Sequence, residues 1–435
     1  MGVIILLITL FISALLVLFC LTTKSNQTKV NSWLWIGTYL IFILLILSPI
    51  IKWGFQWYLI FFVLSVKAII SLVSVLNNKK TEKPFKETLI IVKSAGMVLL
   101  LFIVTIPVVV FPQYDEPTKT GVNKVMTTSY TYIDESRIET FDDNNGFREV
   151  NVDFWYPENS MEKYPIVFFS HGAFGINFSN ESTYQELASN GYIVCSIDHP
   201  YHSLFTENES GKITVVDSEF INEVIDANTT GIYCEEEAFK LTQNWNKIRS
   251  DDMNFVIDSV LNSAKSNDMN SLYHLIDIEK IGVFGHSLGG SASAKVARER
   301  NDIGAVINID GPLTSEITIF ENDVCTLYNE IFPVPLLNIY SDDVWKQLDN
   351  NAFYLANNNL KGTGNNMFDV YFQGSKHMSL TDLSLISPII AEKLQGGKAN
   401  IDSYDCIKTM NSVILDFFNC YLKDIGPFKS DAIYF

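Results

Sequence analysis

Four apolar stretches crowd the first quarter of this chain, at residues 3–21, 33–51, 57–76 and 94–111. Each reaches the ~18–20 residues that a helix needs to cross the hydrocarbon core of a bilayer. Inside lipid a backbone must satisfy its own hydrogen bonds, so residues 1–111 are expected to form an all-α transmembrane bundle of about four helices. The first stretch lacks a basic flank and a small-residue cleavage site, which argues against a cleaved signal peptide. Trp33, Trp35, Trp53, Trp57 and Tyr58 fall at stretch ends, where aromatic belts form.

Charge gives the bundle a direction. Lys24, Lys29, Lys79, Lys80, Lys83 and Lys86 lie in the loops 22–32 and 77–86, whereas the turn between the second and third stretches holds only Lys52. Putting the Lys-rich loops inside leaves the N-terminus and the large C-terminal part outside, with Lys93 snorkelling back to the cytoplasmic face. The expectation is a multi-pass protein of the cell membrane whose larger domain is extracytoplasmic. Lys67 falls mid-stretch, where a charge costs about 2.5–3.5 kcal/mol on insertion scales. It either faces the bundle interior, loses its charge, or marks a third stretch that does not span; a proton or ligand site there is a further reading.

After Phe111 the pattern changes. Residues 112–145, with Pro112 and Pro117, read as a linker, and residues 146–435 as one catalytic domain. Short apolar runs at 150–156, 164–170, 192–197, 280–284, 305–309, 334–340 and 368–372 read as strands. Helical patterns at 184–190, 250–264 and 291–298 separate some of them, so the fold class is α/β with a mostly parallel sheet. The polar, irregular stretch 203–250 is the expected insertion or lid. This part holds 22 basic against 47 acidic residues, a balance that excludes nucleic acid as a partner. The six Cys show no CxxC and no metal spacing, so neither a metal nor a cofactor is expected; Cys234, Cys325, Cys406 and Cys420 are candidates for disulfides on export.

The decisive motif is KIGVFGHSLGG at 280–290. A lone G-x-S-x-G is weak, but here an apolar strand precedes it and an Ala-rich helix follows, as in the nucleophile elbow of the α/β-hydrolase fold. The sharp turn strains the backbone at Ser287, and side chains at 285 and 289 would collide with neighbouring backbone. The turn also sets the Ser287 hydroxyl at a helix N-terminus, where N–H groups can stabilise an oxyanion. A serine nucleophile needs a base, and of the six His only His377 lies downstream of Ser287. The residues leave the acid open between Asp310, which ends one strand, and Asp342 or Asp343 after the next.

Several segments are similar to the platelet-activating factor acetylhydrolase family: YPIVFFSHGAFG at 164–175, LASNGYIVCSIDHP at 187–200, DIEKIGVFGHSLGG at 277–290, IDG at 309–311 and GSKH at 374–377. The resemblance covers roughly residues 148–385 and omits the apolar helices. It implies Asp310 as the acid, backbone N–H groups of Ala173 and Leu288 as the oxyanion hole, and metal-free cleavage of short or oxidised acyl groups from phospholipids or other carboxylic esters. It places His171 in the oxyanion loop rather than as a base; His199 and His202 are expected to shape the rim or to be structural. The chain departs at Pro312, where the family has a bulkier run. The expectation is a serine carboxylic-ester hydrolase with membrane lipid and a small or lipid ester as its partners. The rivals are a thioesterase or peptidase on the same fold, a non-catalytic receptor or scaffold, and, resting on Lys67 alone, transport by the bundle.

Overall fold

The computed structural model describes residues 2–77, 85–142, 146–158, 162–229, 231–266, 271–321, 324–360, 366–429 and 432–435. It divides into two compact units, residues 1–115 with 385–390, and residues 116–384 with 391–435.

The first unit carries α1 (Gly2–Thr23), α2 (Thr28–Leu47), α3 (Tyr58–Leu76) and α4 (Glu87–Val110). By length and composition the helical segments Thr28–Leu47, Phe55–Leu76 and Glu87–Val110 can each cross a membrane; the first apolar stretch lies within α1, a helix of 22 residues. The third stretch therefore qualifies despite Lys67, which is half-buried with its Nζ 5.6 Å from the Trp35 ring centroid. Phe42, Trp57, Ile60, Leu64, Val104 and Val108 form an internal apolar cluster. Leu44, Leu47, Phe62, Ile69 and Leu76 point outward, an arrangement costly in water and favourable in lipid. Lys79, Lys80 and Lys83 lie outside the described residues; Lys86 precedes α4.

The second unit is built on a nine-stranded sheet. In chain order its strands are β1 (Val125–Ile138), β2 (Phe147–Pro157), β3 (Tyr164–Ser170), β4 (Ile193–Ile197), β7 (Ile276–His286), β8 (Ile303–Ile309), β11 (Leu336–Ser341), β12 (Met367–Phe372) and β13 (Ile433–Tyr434). Two small hairpins stand apart, β5 (Phe205–Glu207) with β6 (Ile213–Val215), and β9 (Ile317–Glu321) with β10 (Val324–Leu327). The spatial order of the sheet is β1-β2-β4-β3-β7-β8-β11-β12-β13. Its pairs are parallel from β4 onward and antiparallel between β1, β2 and β4. Ile166–Phe169 of β3 are wholly buried, as a strand covered on both faces requires. Helices α5 (Glu181–Ser189), α6 (Ser218–Ala227), α7 (Glu235–Lys265), α8 (Ser271–His274) and α9 (Leu288–Glu299) follow in the chain, and a C-terminal helix, Ser403–Lys423, buries Ile407, Ile414, Phe417 and Phe418.

Two expectations are corrected. The segment read as a linker at 112–145 contains β1, an edge strand. Its sequence VMTTSYTYIDESRI leaves all but Asp134 at least partly exposed, so it lacks the apolar run that marks a central strand. The segment read as irregular at 203–250 holds the β5–β6 hairpin, α6 and the start of α7, which begins at Glu235 rather than near residue 250. Acidic first-turn residues Glu235, Glu236 and Glu237 favour the helix N-terminus there through the helix dipole, a signal that hydropathy alone does not carry.

Candidate active site

Ser287 sits between β7 and α9 with φ 55° and ψ −123°, a strained conformation for a side-chain-bearing residue. Its N–H donates to Ile309 O at 2.7 Å and its carbonyl accepts from Ser291 N at 3.1 Å. The turn is possible because two flanking positions are glycine. A Cβ on Gly285 would run into the Gly289 carbonyl and stand 2.6 Å from Ser170 O, and one on Gly289 would strike the Ser170 carbonyl. The end of β3 is thereby pressed against the Ser287 turn.

His377 follows β12. Its Nδ1 lies 2.8 Å from Asp310 Oδ2. Asp310 directly follows β8 at φ 58°, is fully buried, and accepts from Ser341 N at 2.7 Å and Ser341 Oγ at 2.6 Å. The other two acids are occupied elsewhere. Asp342 accepts from Tyr371 Oη at 2.5 Å, Gly374 N at 3.0 Å and Lys346 Nζ at 3.0 Å. Burial pushes its carboxyl up, but these hydrogen bonds outweigh that and hold it below the usual range. Asp343 accepts the His377 backbone N–H at 3.1 Å and the Lys376 ammonium at 3.1 Å, so it fixes the loop rather than the ring. His286 buttresses the same loop, its Nε2 3.1 Å from His377 O and its ring 4.5 Å from the His377 ring. Among the described residues neither Ser287 Oγ nor His377 Nε2 has a protein hydrogen-bond partner.

The loop after β3 closes the other side. A Cβ on Gly172 would lie 3.2 Å from Ser287 Cβ, so this backbone runs close against Ser287. Among the described residues, neither Ala173 N–H nor Leu288 N–H donates to a protein acceptor. An apolar wall of Phe174, Phe220, Trp245 and Leu288 stands beside them, contributed in part by α6 and α7.

Behind that loop lies a buried polar cluster that sequence reasoning missed. Ser170 Oγ is 2.8 Å from His199 Nε2, and His199 Nδ1 is 3.0 Å from Asp252 Oδ2. Asp252 also accepts from Arg148 Nε at 3.0 Å, Arg148 Nη2 at 2.8 Å and Arg137 Nη1 at 2.9 Å. Burial pushes its carboxyl up, but Arg148 and His199 outweigh that and hold it far below the usual carboxylate range. Burial holds the His199 imidazole down at about 4. Arg249, also fully buried, donates to the carbonyls of His171 and Gly172, and burial lowers its guanidinium to about 9. Arg249 and Asp252 lie on the buried stripe of α7 with Trp245, Met253 and Val256; two charges on an apolar helix stripe were the available signal. His171 and His202 are buried as well, the latter stacked on Phe220 at 3.8 Å, so neither they nor His199 lines a rim. The six Cys are free, and among the described residues no group of three or more His, Cys, Asp or Glu is arranged to hold a metal.

The chain is similar to known proteins. The family model described as "Platelet-activating factor acetylhydrolase, isoform II" matches residues 146–426. The platelet-activating factor acetylhydrolase of Canis lupus familiaris is 26% identical over 289 residues, covering 63% of this chain and 61% of that protein. A probable 1-alkyl-2-acetylglycerophosphocholine esterase of Arthroderma benhamiae is 29% identical over 149 residues, covering 34% of this chain and 32% of its own length. The chain spans about three fifths of the length of the animal relatives it matches. A ferulic acid esterase of Streptomyces cinnamoneus superposes with a TM-score of 0.55 at 20% identity, over 72% of this chain and 94% of that one, and shares the α/β-hydrolase fold.

Proposed function

Because the chain belongs to the platelet-activating factor acetylhydrolase, isoform II, family, we propose that it is a serine carboxylic-ester hydrolase acting on short-acyl or lipid-derived esters. The observation that carries the reading is the 2.8 Å pair between Asp310 and His377, beside a serine on a strained elbow. With Nδ1–H held by Asp310, the imidazole presents Nε2 as a base. His377 takes the proton from Ser287 Oγ as the oxygen attacks the ester carbonyl, a contact that tightens when substrate is seated. The oxyanion accepts from the N–H groups of Ala173 and Leu288, the proton passes from His377 to the departing alcohol, and the acyl-enzyme remains. A water molecule, deprotonated by His377, then releases the acid. Asp310 stabilises the imidazolium without taking the proton.

The apolar wall of Phe174, Phe220, Trp245 and Leu288 suits an acyl chain, and the outward-facing apolar helices suit a protein that works next to lipid. We place the hydrolase domain on the extracytoplasmic side, from the Lys-rich flank of α4. The test is hydrolysis of a chain-length series of p-nitrophenyl esters and short-acyl phospholipids by the full chain in detergent, with labelling by an organophosphonate probe. Ser287→Ala should abolish both turnover and labelling while leaving the melting temperature unchanged. Turnover or labelling that survives the substitution rules the mechanism out, and a folded wild-type chain that does neither leaves the scaffold reading in its place.

A further inference from the structure

The Ser170–His199–Asp252 constellation has the hydrogen-bond order of a second catalytic triad, but all three residues are fully buried and no ester can reach Ser170. Beside it lies Arg249, whose guanidinium is also fully buried and pairs with no carboxylate among the described residues. It is directed instead at two carbonyls, donating through Nη1 to His171 O and through Nη2 to Gly172 O at 3.3 Å. Asp252 lends this charge some Coulombic support, but its carboxylate pairs directly with Arg148, Arg137 and His199; a buried guanidinium that forms no ion pair of its own is costly, so its placement calls for a reason beyond packing.

The peptide unit that joins Gly172 to Ala173 supplies one. Its carbonyl end accepts from Arg249 Nη2, from His171 Nδ1 at 2.7 Å and from Gly175 N at 3.1 Å. Its other end, the Ala173 N–H, has no protein acceptor among the described residues and lies one residue from the Gly172 backbone that touches Ser287. A hydrogen bond to a carbonyl polarises the whole peptide and strengthens the N–H at its far end as a donor. Three donors at one end therefore both fix this dipole and strengthen it. The Asp252–His199–Ser170 chain ties Ser170, two residues before Gly172, to α7, the same helix that carries Arg249.

Resting on the serine-hydrolase reading above, we propose that Arg249 is a positioning residue of the reaction. It clamps and polarises the 171–173 loop so that the Ala173 N–H is preset for the oxyanion, and the buried Ser170–His199–Asp252 chain holds that loop to the helix. Arg249 acts through the peptide and touches no reacting atom.

The test uses the full chain in detergent, with Arg249→Met, Arg249→Lys and Ser287→Ala. Three quantities are read: kcat and KM for p-nitrophenyl acetate, the inhibition constant of a trifluoromethyl ketone whose adduct carries an oxyanion, and the melting temperature. Loss of one oxyanion donor typically costs ~10²–10³ in kcat. Arg249→Met should approach that loss, with KM within about threefold of wild type and ketone binding weakened in parallel. Arg249→Lys, which keeps the charge and one donor, should recover about tenfold of the lost kcat. If the Met variant does not fold, the Lys variant decides. A folded Lys variant with wild-type kcat and ketone affinity overturns the proposal, as does a lowered melting temperature with those two constants unchanged. A wild-type chain that neither turns over ester nor takes label at Ser287 overturns the hydrolase reading itself, an outcome visible before any Arg249 variant is made.

Discussion

Replacing Asp310 with Asn keeps the shape of the residue that faces His377 and inverts its hydrogen bonding. The Oδ1 position receives the Ser341 N–H at 2.7 Å, so only the amide oxygen can occupy it. The NH₂ group is then forced to the Oδ2 position, 2.8 Å from His377 Nδ1. There it donates to Nδ1, which fixes the imidazole as the tautomer with its hydrogen on Nε2, facing the nucleophile. A base that already carries its proton cannot accept another. The same inversion in the serine-protease triad lowers kcat by about 10⁴, which corresponds to roughly 5 kcal/mol of transition-state stabilisation. Ser341 Oγ can still accept from the new amide, so folding should be retained. The assay is p-nitrophenyl acetate hydrolysis by the detergent-solubilised full chain, with kcat and KM fitted separately. A fall in kcat of about 10³–10⁴ with little change in KM is expected. Asp342→Asn, whose partners are Tyr371, Gly374 and Lys346, should stay within about tenfold of wild type. A folded Asp310→Asn protein that keeps more than about a tenth of the activity would refute the tautomer argument.

Gly289→Ala should destabilise the domain by about 3 kcal/mol or more, because the new methyl meets the Ser170 carbonyl rather than a movable side chain. Chemical denaturation reads this directly, and a stable, active variant would show that the elbow relaxes. His199 titrates near 4 when folded against ~6.5 unfolded. For a base with a depressed folded pKa, its contribution is complete above ~6.5 and is lost as pH falls from there toward about 4, in total roughly 3 kcal/mol. Denaturation midpoints measured across that window should fall with acid, and a His199→Gln variant should lose that part of the slope; an equal slope in both would assign it elsewhere. Cys234 is exposed, so a membrane-impermeant maleimide should label it in intact spheroplasts if the domain is extracytoplasmic. Labelling that requires lysis would contradict that side, and Cys234→Ser identifies how much of the signal is Cys234 rather than the half-buried Cys325 and Cys420.

The elbow was legible because its constraints are local: strand, glycine, serine, glycine and helix all fall between residues 276 and 299. His377 was legible by elimination, being the sole His after Ser287. Between Asp310 and Asp342 the residues themselves gave no choice, because both follow a parallel strand. What separates them is the Ser341 pair that turns one carboxylate toward the ring while Tyr371 and Lys346 take the other. Of the cluster of Ser170, His199, Arg249 and Asp252, only the two charges on the apolar stripe of α7 left a trace in the sequence. The cluster assembles only when the ends of β3 and β4 meet the middle of α7, through hydrogen bonds that span up to 78 residues and that periodicity does not report. β1 escaped notice for the opposite reason, since an edge strand with a wet face lacks a continuous apolar run.

The contact between Gly289 and the Ser170 carbonyl divides the molecule into regions of unequal evolutionary freedom. Where Ser287, the proposed oxyanion loop and the sheet share the same few atoms, changes of diet cannot be made by remodelling the Ser287 turn without destabilising the domain. Novelty has to enter through the segment that carries β5, β6, α6 and the first turns of α7, which furnishes Phe220 and Trp245. Relatives that differ in the ester they accept should therefore vary in that stretch, and transplanting it between them should carry preference without carrying rate.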